Sequence, residues 1–283
     1  MYFLKNTELT VSILDPLADA ARLGSRYCTG GYIWQVSDAQ LGELLAGPEY
    51  PREPNTFDGQ GAPDMFHRAL GAEEAPVGGE VGCIGVGRVR RTSPIEPFDV
   101  RHNPEVIEFV RWKVTAGPEQ IGMQTEHAFK SWAYRLERVV SLRGRTVHSR
   151  TAIRNQGQAV LPVRWFAHPF FPIPADNVLC SFSIPVSMPE NPGYALTPDG
   201  FIIRKAGHNW QSGWYQPLGY DRSGGRLTVY ERHPLVGQVT AVTDFMPAFL
   251  PIWGNQVTFS FEPFFEKSLE PGQEAAWSIA YRF

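Results

Sequence analysis

Gln256-Val257-Thr258-Phe259-Ser260-Phe261-Glu262 alternates between polar and apolar side chains. Successive side chains of a strand point to opposite faces, so Val257, Phe259 and Phe261 share one face and Thr258, Ser260 and Glu262 the other. The stretch reads as a half-buried strand with a polar working side. The final segment, Trp277-Ser278-Ile279-Ala280-Tyr281-Arg282-Phe283, has the same period. Further strand candidates are Arg226 to Glu231, Gln238 to Thr243, Thr146 to Arg154 and Leu161 to His168. Turn signals separate them: Arg143-Gly144, Asn155-Gln156-Gly157, Pro198-Asp199-Gly200, Ser223-Gly224-Gly225 and Glu270-Pro271-Gly272.

Helical signal is sparse. One short helix is expected over Asp38 to Leu45, with Asp38 as its N-cap and Gly42 weakening it. No βαβ alternation is present, which disfavours a doubly wound parallel sheet. The Pro- and Gly-rich stretch from Gly47 to Gly82 carries Tyr50, Phe57 and Phe66, which suits a packed irregular loop better than a linker. The expected fold is all-β: one large antiparallel β-sandwich domain over residues 1–283, with few short helices.

Composition agrees with that pattern. Gly and Pro number 27 and 24 in 283 residues, an excess that argues for many short elements and against a helical bundle. A net charge of -3 offers no electrostatic case for nucleic acid or an anionic membrane. Cys28, Cys83 and Cys180 are widely spaced, so neither a disulfide framework nor a thiolate zinc site is signalled. No signal-like start and no apolar run of membrane-spanning length is present, so a cytoplasmic protein is expected.

Several chemistries find no support. Gly82-Cys83-Ile84-Gly85-Val86-Gly87-Arg88 contains Gly85-Val86-Gly87, but the third glycine of a dinucleotide fingerprint falls on Arg90. Thr92-Ser93-Pro94 follows where a helix is needed, so a glycine-rich strand or bulge is expected. Phosphate-loop, serine-hydrolase and zincin motifs are absent. None of the seven histidines sits at metal-ligand spacing with a carboxylate, so no metal and no cofactor is expected.

Two residues stand out by setting. In Arg164-Trp165-Phe166-Ala167-His168-Pro169-Phe170-Phe171, Leu161, Val163, Trp165 and Ala167 fall on one face, and Arg164, Phe166 and His168 on the other. Pro169 ends the strand by removing a backbone donor. Glu262 repeats that setting, on the polar face of a strand and before Pro263-Phe264-Phe265. A structural or surface role is the ordinary fate of either residue type. Together they form an acid/base pair with reference pKa values near 6.5 and 4.3, able to move protons at neutral pH.

These segments carry a resemblance. Trp165-Phe166-Ala167-His168-Pro169-Phe170-Phe171, Glu262-Pro263 and the closing Leu269-Glu270-Pro271-Gly272 to Trp277 are similar to the aldose 1-epimerase (galactose mutarotase-like) superfamily. So are Ala20 to Tyr27 through Gly30-Gly31, and Tyr134 to Phe171 with its Thr151-Ala152-Ile153-Arg154-Asn155. The resemblance implies a β-supersandwich and sugar mutarotation: Glu262 takes the anomeric hydroxyl proton and His168 protonates the ring oxygen. Cofactors are not needed for that reaction. The two side chains are expected in one cleft, without touching each other.

Departures bear on substrate. The family's His-Gly-Phe-x-Arg segment corresponds to Ile84-Gly85-Val86-Gly87-Arg88, with Ile84 in place of His. The Arg-Gly-Gly-x-Pro of hexose 6-phosphate enzymes corresponds to Asp58-Gly59-Gln60-Gly61-Ala62-Pro63, which lacks the Arg, so a neutral sugar is expected. Candidate substrate contacts are Arg88, His67, Arg68, Asp221, Trp165 and Phe170. A non-catalytic carbohydrate-binding protein of the same fold remains an alternative. So does an isomerase or lyase acting on a sugar acid, with Arg88 holding the carboxylate.

Overall fold

The computed structural model describes residues 1–283, and its regular secondary structure is almost entirely antiparallel strands. Three short 3-10 turns, Ala20–Arg22, Val100–His102 and Trp210–Ser212, are the only helical elements, and no helix is long and apolar enough to cross a membrane. One layer is a ten-stranded sheet. Its centre is Thr228–His233, Gly237–Thr243, Glu274–Arg282, Thr146–Asn155, Trp132–Arg143 and Gln120–Phe129, in that spatial order. Alternation along Trp132–Arg143 is strict from Tyr134 to Leu142, where every second residue is buried. Gly144, at φ 53°, closes the two-residue hairpin that follows, a conformation with no steric cost for glycine.

The opposing layer is made of smaller sheets. Leu161–Ala167 lies between Phe264–Leu269 and Asp64–Phe66. Thr258–Phe261 lies between Phe171–Pro172 and Pro251–Gly254. Aromatic rings join the layers: Trp165 meets Trp277 edge-on at 5.5 Å, and Phe66 meets Trp277 at 6.3 Å. One charged contact crosses the core as well, from Arg138 on the large sheet to Asp64 on the small one. The Arg138 guanidinium also reaches the Thr151 and Ser149 hydroxyls through its terminal nitrogens, while its Nε has no partner.

The expected helix from Asp38 to Leu45 is a hairpin instead. Asp38 ends the strand Ile33–Asp38, its carboxylate accepts from the Gln40 and Leu41 N–H groups (2.8 and 3.0 Å), and Gly42–Glu43 pairs back. A side chain that satisfies those two donors in a turn competes directly with a helix start, and Gly42 completes the turn at φ 85°. The glycine-rich stretch after Gly82 is likewise a hairpin, between Glu80–Cys83 and Gly87–Arg90. The strand around Phe259 is not half-buried: Thr258 and Ser260 are fully buried too, because the polar face is roofed by the loops of the site.

Glu231, in Thr228–His233, is fully buried, and neither carboxylate oxygen has a hydrogen-bond partner. Burial pushes its pKa well above the usual carboxylate range. Stability from this group is therefore complete below the unfolded-state value and is lost as pH rises through the folded-state value. In thermal melts, Glu231→Gln is expected to gain on the wild type as pH is raised from about 5 to 9, with about 1 kcal/mol appearing as roughly 2–4 °C. A difference that stays constant with pH would contradict this.

Candidate active site

The site begins with strand register. Leu161–Ala167 pairs antiparallel with Phe264–Leu269, ending at Trp165 opposite Phe265 and Phe166 opposite Phe264. Two residues further along that register, His168 faces Glu262. Pro169 and Pro263 cannot donate to a ladder, so the strands part here. The His168 N–H donates instead to the Pro63 carbonyl, and the Glu262 N–H to that of Pro251 (both 2.9 Å). Parity puts Phe166, His168, Phe264 and Glu262 on one side, where the two Phe rings stack at 4.4 Å beneath the polar pair. His168 Nε2 and Glu262 Oε1 end 3.5 Å apart.

Both groups are nearly dry, at 2% and 5% exposure. His168 Nδ1 lies 3.0 Å from Ser260 Oγ, and Nε2 lies 3.3 Å from Arg26 Nη2. Its ring packs on Phe170 at 4.4 Å and meets Trp253 edge-on at 6.1 Å. Burial, and then the Arg26 charge, hold the imidazole well below its usual range. Burial raises Glu262 to about 8, and Arg26 opposes that rise without overcoming it. The pair therefore carries one proton at neutral pH, on the carboxyl. A cavity of about 490 Å³ opens over it, lined by apolar rings and by the polar groups of Arg26, Asp58, His67, Asp99, Arg101 and Tyr215. Nowhere in the chain do three His, Cys, Asp or Glu side chains converge as a metal-binding group.

No family model matches the sequence, and no curated protein matches it. Solved structures do resemble it. A galactose mutarotase related enzyme from Lactobacillus acidophilus superposes with a TM-score of 0.63 at 14% identity, over 99% of this chain and 96% of that one. A galactose mutarotase-like protein from Lactobacillus casei gives 0.57 at 11% identity, over 100% and 99%. An aldose epimerase homologue from C. elegans gives 0.50 at 11%, over 99% and 97%. The chain has the galactose mutarotase-like fold.

On this mutarotase-like scaffold the expected residues separate into two groups. His168, Glu262, His67 and Phe170 line one cavity. His168 and Glu262 touch, contrary to the expectation that they stand apart. Arg88 does not reach the cavity; it is held on its hairpin between Glu80 and Glu108 (both 2.9 Å). Arg68 pairs with Glu73 and lies along a neighbouring groove of about 580 Å³ that also borders His67. Asp221 is an exposed turn residue whose carboxylate accepts from the Ser223 N–H and hydroxyl (2.9 and 2.7 Å). Trp165 faces the core against Trp277, as its own alternation with His168 requires.

Arg26, Trp253 and Tyr215 are site residues that the sequence alone does not single out, although Arg26 lies in the Ala20 to Tyr27 stretch that carries the resemblance. Trp253 arrives by pairing across from Ser260, and Tyr215 pairs with Trp253 in turn. Arg26 depends on a close approach of two loops. A Cβ on Gly24 would come within 2.6 Å of the Thr56 carbonyl oxygen, so only glycine lets these loops meet there and sets Phe57 against the Arg26 guanidinium.

Infrared difference spectra between the wild type and Glu262→Gln isolate the Glu262 carboxyl from Glu231. The protonated-carboxyl carbonyl band is expected at neutral pH and is expected to vanish as pH rises through about 8. Its loss near pH 4–5, the ordinary carboxylate range of about 4.3, would contradict this.

Proposed function

We propose that the chain is a cofactor-independent aldose 1-epimerase, interconverting the anomers of a monosaccharide with a free anomeric centre. The observation that carries this reading is the contact of a buried imidazole and a buried carboxyl at the base of a cavity walled by Trp253 and Phe170. Aromatic faces suit the apolar face of a sugar ring, and the polar groups of the rim suit its hydroxyls.

The reaction needs one proton taken from the anomeric hydroxyl oxygen and one given to the ring oxygen. As the O–H bond breaks, a C=O bond forms at the anomeric carbon. The electrons of the carbon–ring-oxygen bond pass to the ring oxygen, which takes the second proton. Rotation about the C1–C2 bond turns the other face of the aldehyde, and closure by the reverse transfers gives the other anomer. Both oxygens are bonded to the same carbon, so a base and an acid in mutual contact can serve them together. This is why the contact between His168 and Glu262 suits the chemistry better than the separation expected from sequence.

The resemblance assigns Glu262 as base and His168 as acid. Carboxylate with imidazolium, and carboxyl with neutral imidazole, hold the same number of protons, so one internal transfer converts one form of the pair into the other. A third proton-transfer group is not required. The substrate class rests on cavity chemistry: Arg101 is already paired with Asp99 at 2.6 Å, and the remaining polar groups of the lining, Arg26, Asp58, His67 and Tyr215, suit hydroxyl recognition.

Anomer exchange of a panel of aldoses and their phosphates, followed by NMR, tests the reading. Glu262→Gln and His168→Ala are each expected to lose about 10²–10⁴-fold in turnover with little loss of sugar binding. Because the active form of the pair holds one proton, the wild-type rate is expected to fall as pH rises past about 8. Sugar binding without accelerated exchange would favour a binding protein of the same fold. Normal turnover by Glu262→Gln would assign the chemistry elsewhere.

A further inference from the structure

We propose that Arg26 is the positioning residue of the pair: by donating to His168 Nε2 it holds the ring as the Nδ1–H tautomer, with the Nε2 lone pair turned into the cavity. A guanidinium has five N–H donors and no acceptor, so the nitrogen it faces must accept. Arg26 Nη2 stands 3.3 Å from His168 Nε2. The ring hydrogen is then on Nδ1 and donates to Ser260 Oγ at 3.0 Å. Either an Nε2–H tautomer or an imidazolium would set an N–H against the guanidinium at 3.3 Å, with Glu262 Oε1 as its acceptor only at the longer 3.5 Å.

Both partners of the ring are fixed independently of it. Ser260 is fully buried within the strand Thr258–Phe261. The Arg26 guanidinium lies over the Tyr27 and Phe57 rings, 4.9 and 4.7 Å from their centroids, and joins no ion pair. A cation between aromatic faces keeps its charge while its donors stay directed. The other charged or titratable groups facing the pair are Asp58, His67, Asp99, Arg101 and Tyr215, and Asp99 neutralises Arg101. Tyr27 adds its ring edge 6.0 Å from the imidazole.

One cation therefore acts on both members in the same direction. It opposes a second positive charge on His168 and favours the carboxylate of Glu262 against the effect of burial. Opening of a sugar ring requires Arg26 to release Nε2, or to share it with the incoming oxygen, so the same residue gates when the imidazole can exchange a proton. Its consequence for turnover rests on the function proposed above. The tautomer of the ring does not.

The test is long-range 1H–15N NMR of the full-length protein labelled at histidine, between about pH 5 and 9, with His168 assigned from His168→Asn. In the wild type at neutral pH, a protonated Nδ1 and a bare Nε2 are expected. In Arg26→Met, an Nε2–H population is expected, with the His168 midpoint raised by about 1 pH unit or more. The alkaline limb of anomer exchange should move up with it. A wild-type Nε2–H tautomer, or an Arg26→Met spectrum identical to wild type, would overturn the proposal. If Arg26→Met does not fold, the wild-type tautomer alone decides. A wild type with the expected tautomer and no anomer exchange would overturn the proposed function and leave the role of Arg26 standing.

Discussion

The antiparallel register between Leu161–Ala167 and Phe264–Leu269 is the constraint on which the site depends. It is held by the core face of the two strands, where Leu161, Val163, Trp165 and Leu269 are all buried against the large sheet. A slip of one residue would turn that face outward and bury Arg164 in its place. Each large side chain lost from the core costs about 1.5–3 kcal/mol, so the register is secured several times over. The same register continues past the last paired residues and sets His168 against Glu262. The prolines after each then part the strands, which opens space above the pair.

Burial that secures the core also sets the chemistry. Glu231 and Glu262 are both buried without a permanent cationic partner, and their surroundings separate their roles. Glu231 has no hydrogen-bond partner and does not line the cavity over His168, so its protonated state is a condition of stability. Glu262 meets an imidazole and opens onto a cavity of about 490 Å³, so the same desolvation yields a proton that can be passed on. Arg26 tempers that desolvation. Without that cation, burial would push Glu262 further toward its neutral form, whereas His168 would be freer to take a proton.

The alternation in residues 161–168 and 256–262 made the strands, their faces and the two central side chains legible. It also placed Trp165 on the face opposite His168, which already argues against a sugar contact from that residue. The polar face of the strand at Ser260 looked half-exposed because its cover comes from loops far away in sequence, around Arg26, Asp58 and Asp99. Arg26 itself depends on the close approach of Gly24 to Thr56, a contact no local pattern encodes. The helix expected after Asp38 failed for a local reason: an Asp side chain that starts a helix satisfies a tight turn equally well, and Gly42 decided in favour of the turn. Arg88 and Asp221 were placed by motif similarity, and each is engaged with its own neighbours on the surface.

A crystal structure of the protein with an aldose bound is the most direct test of the site. The anomeric carbon is expected between Glu262 and His168, with the anomeric and ring oxygens each within about 2.6–3.2 Å of one of them. The apolar face of the ring is expected against Trp253. A sugar bound with its anomeric carbon away from the pair, or lying in the groove along Arg68 and Arg164, would contradict the assignment of this cavity as the site of chemistry.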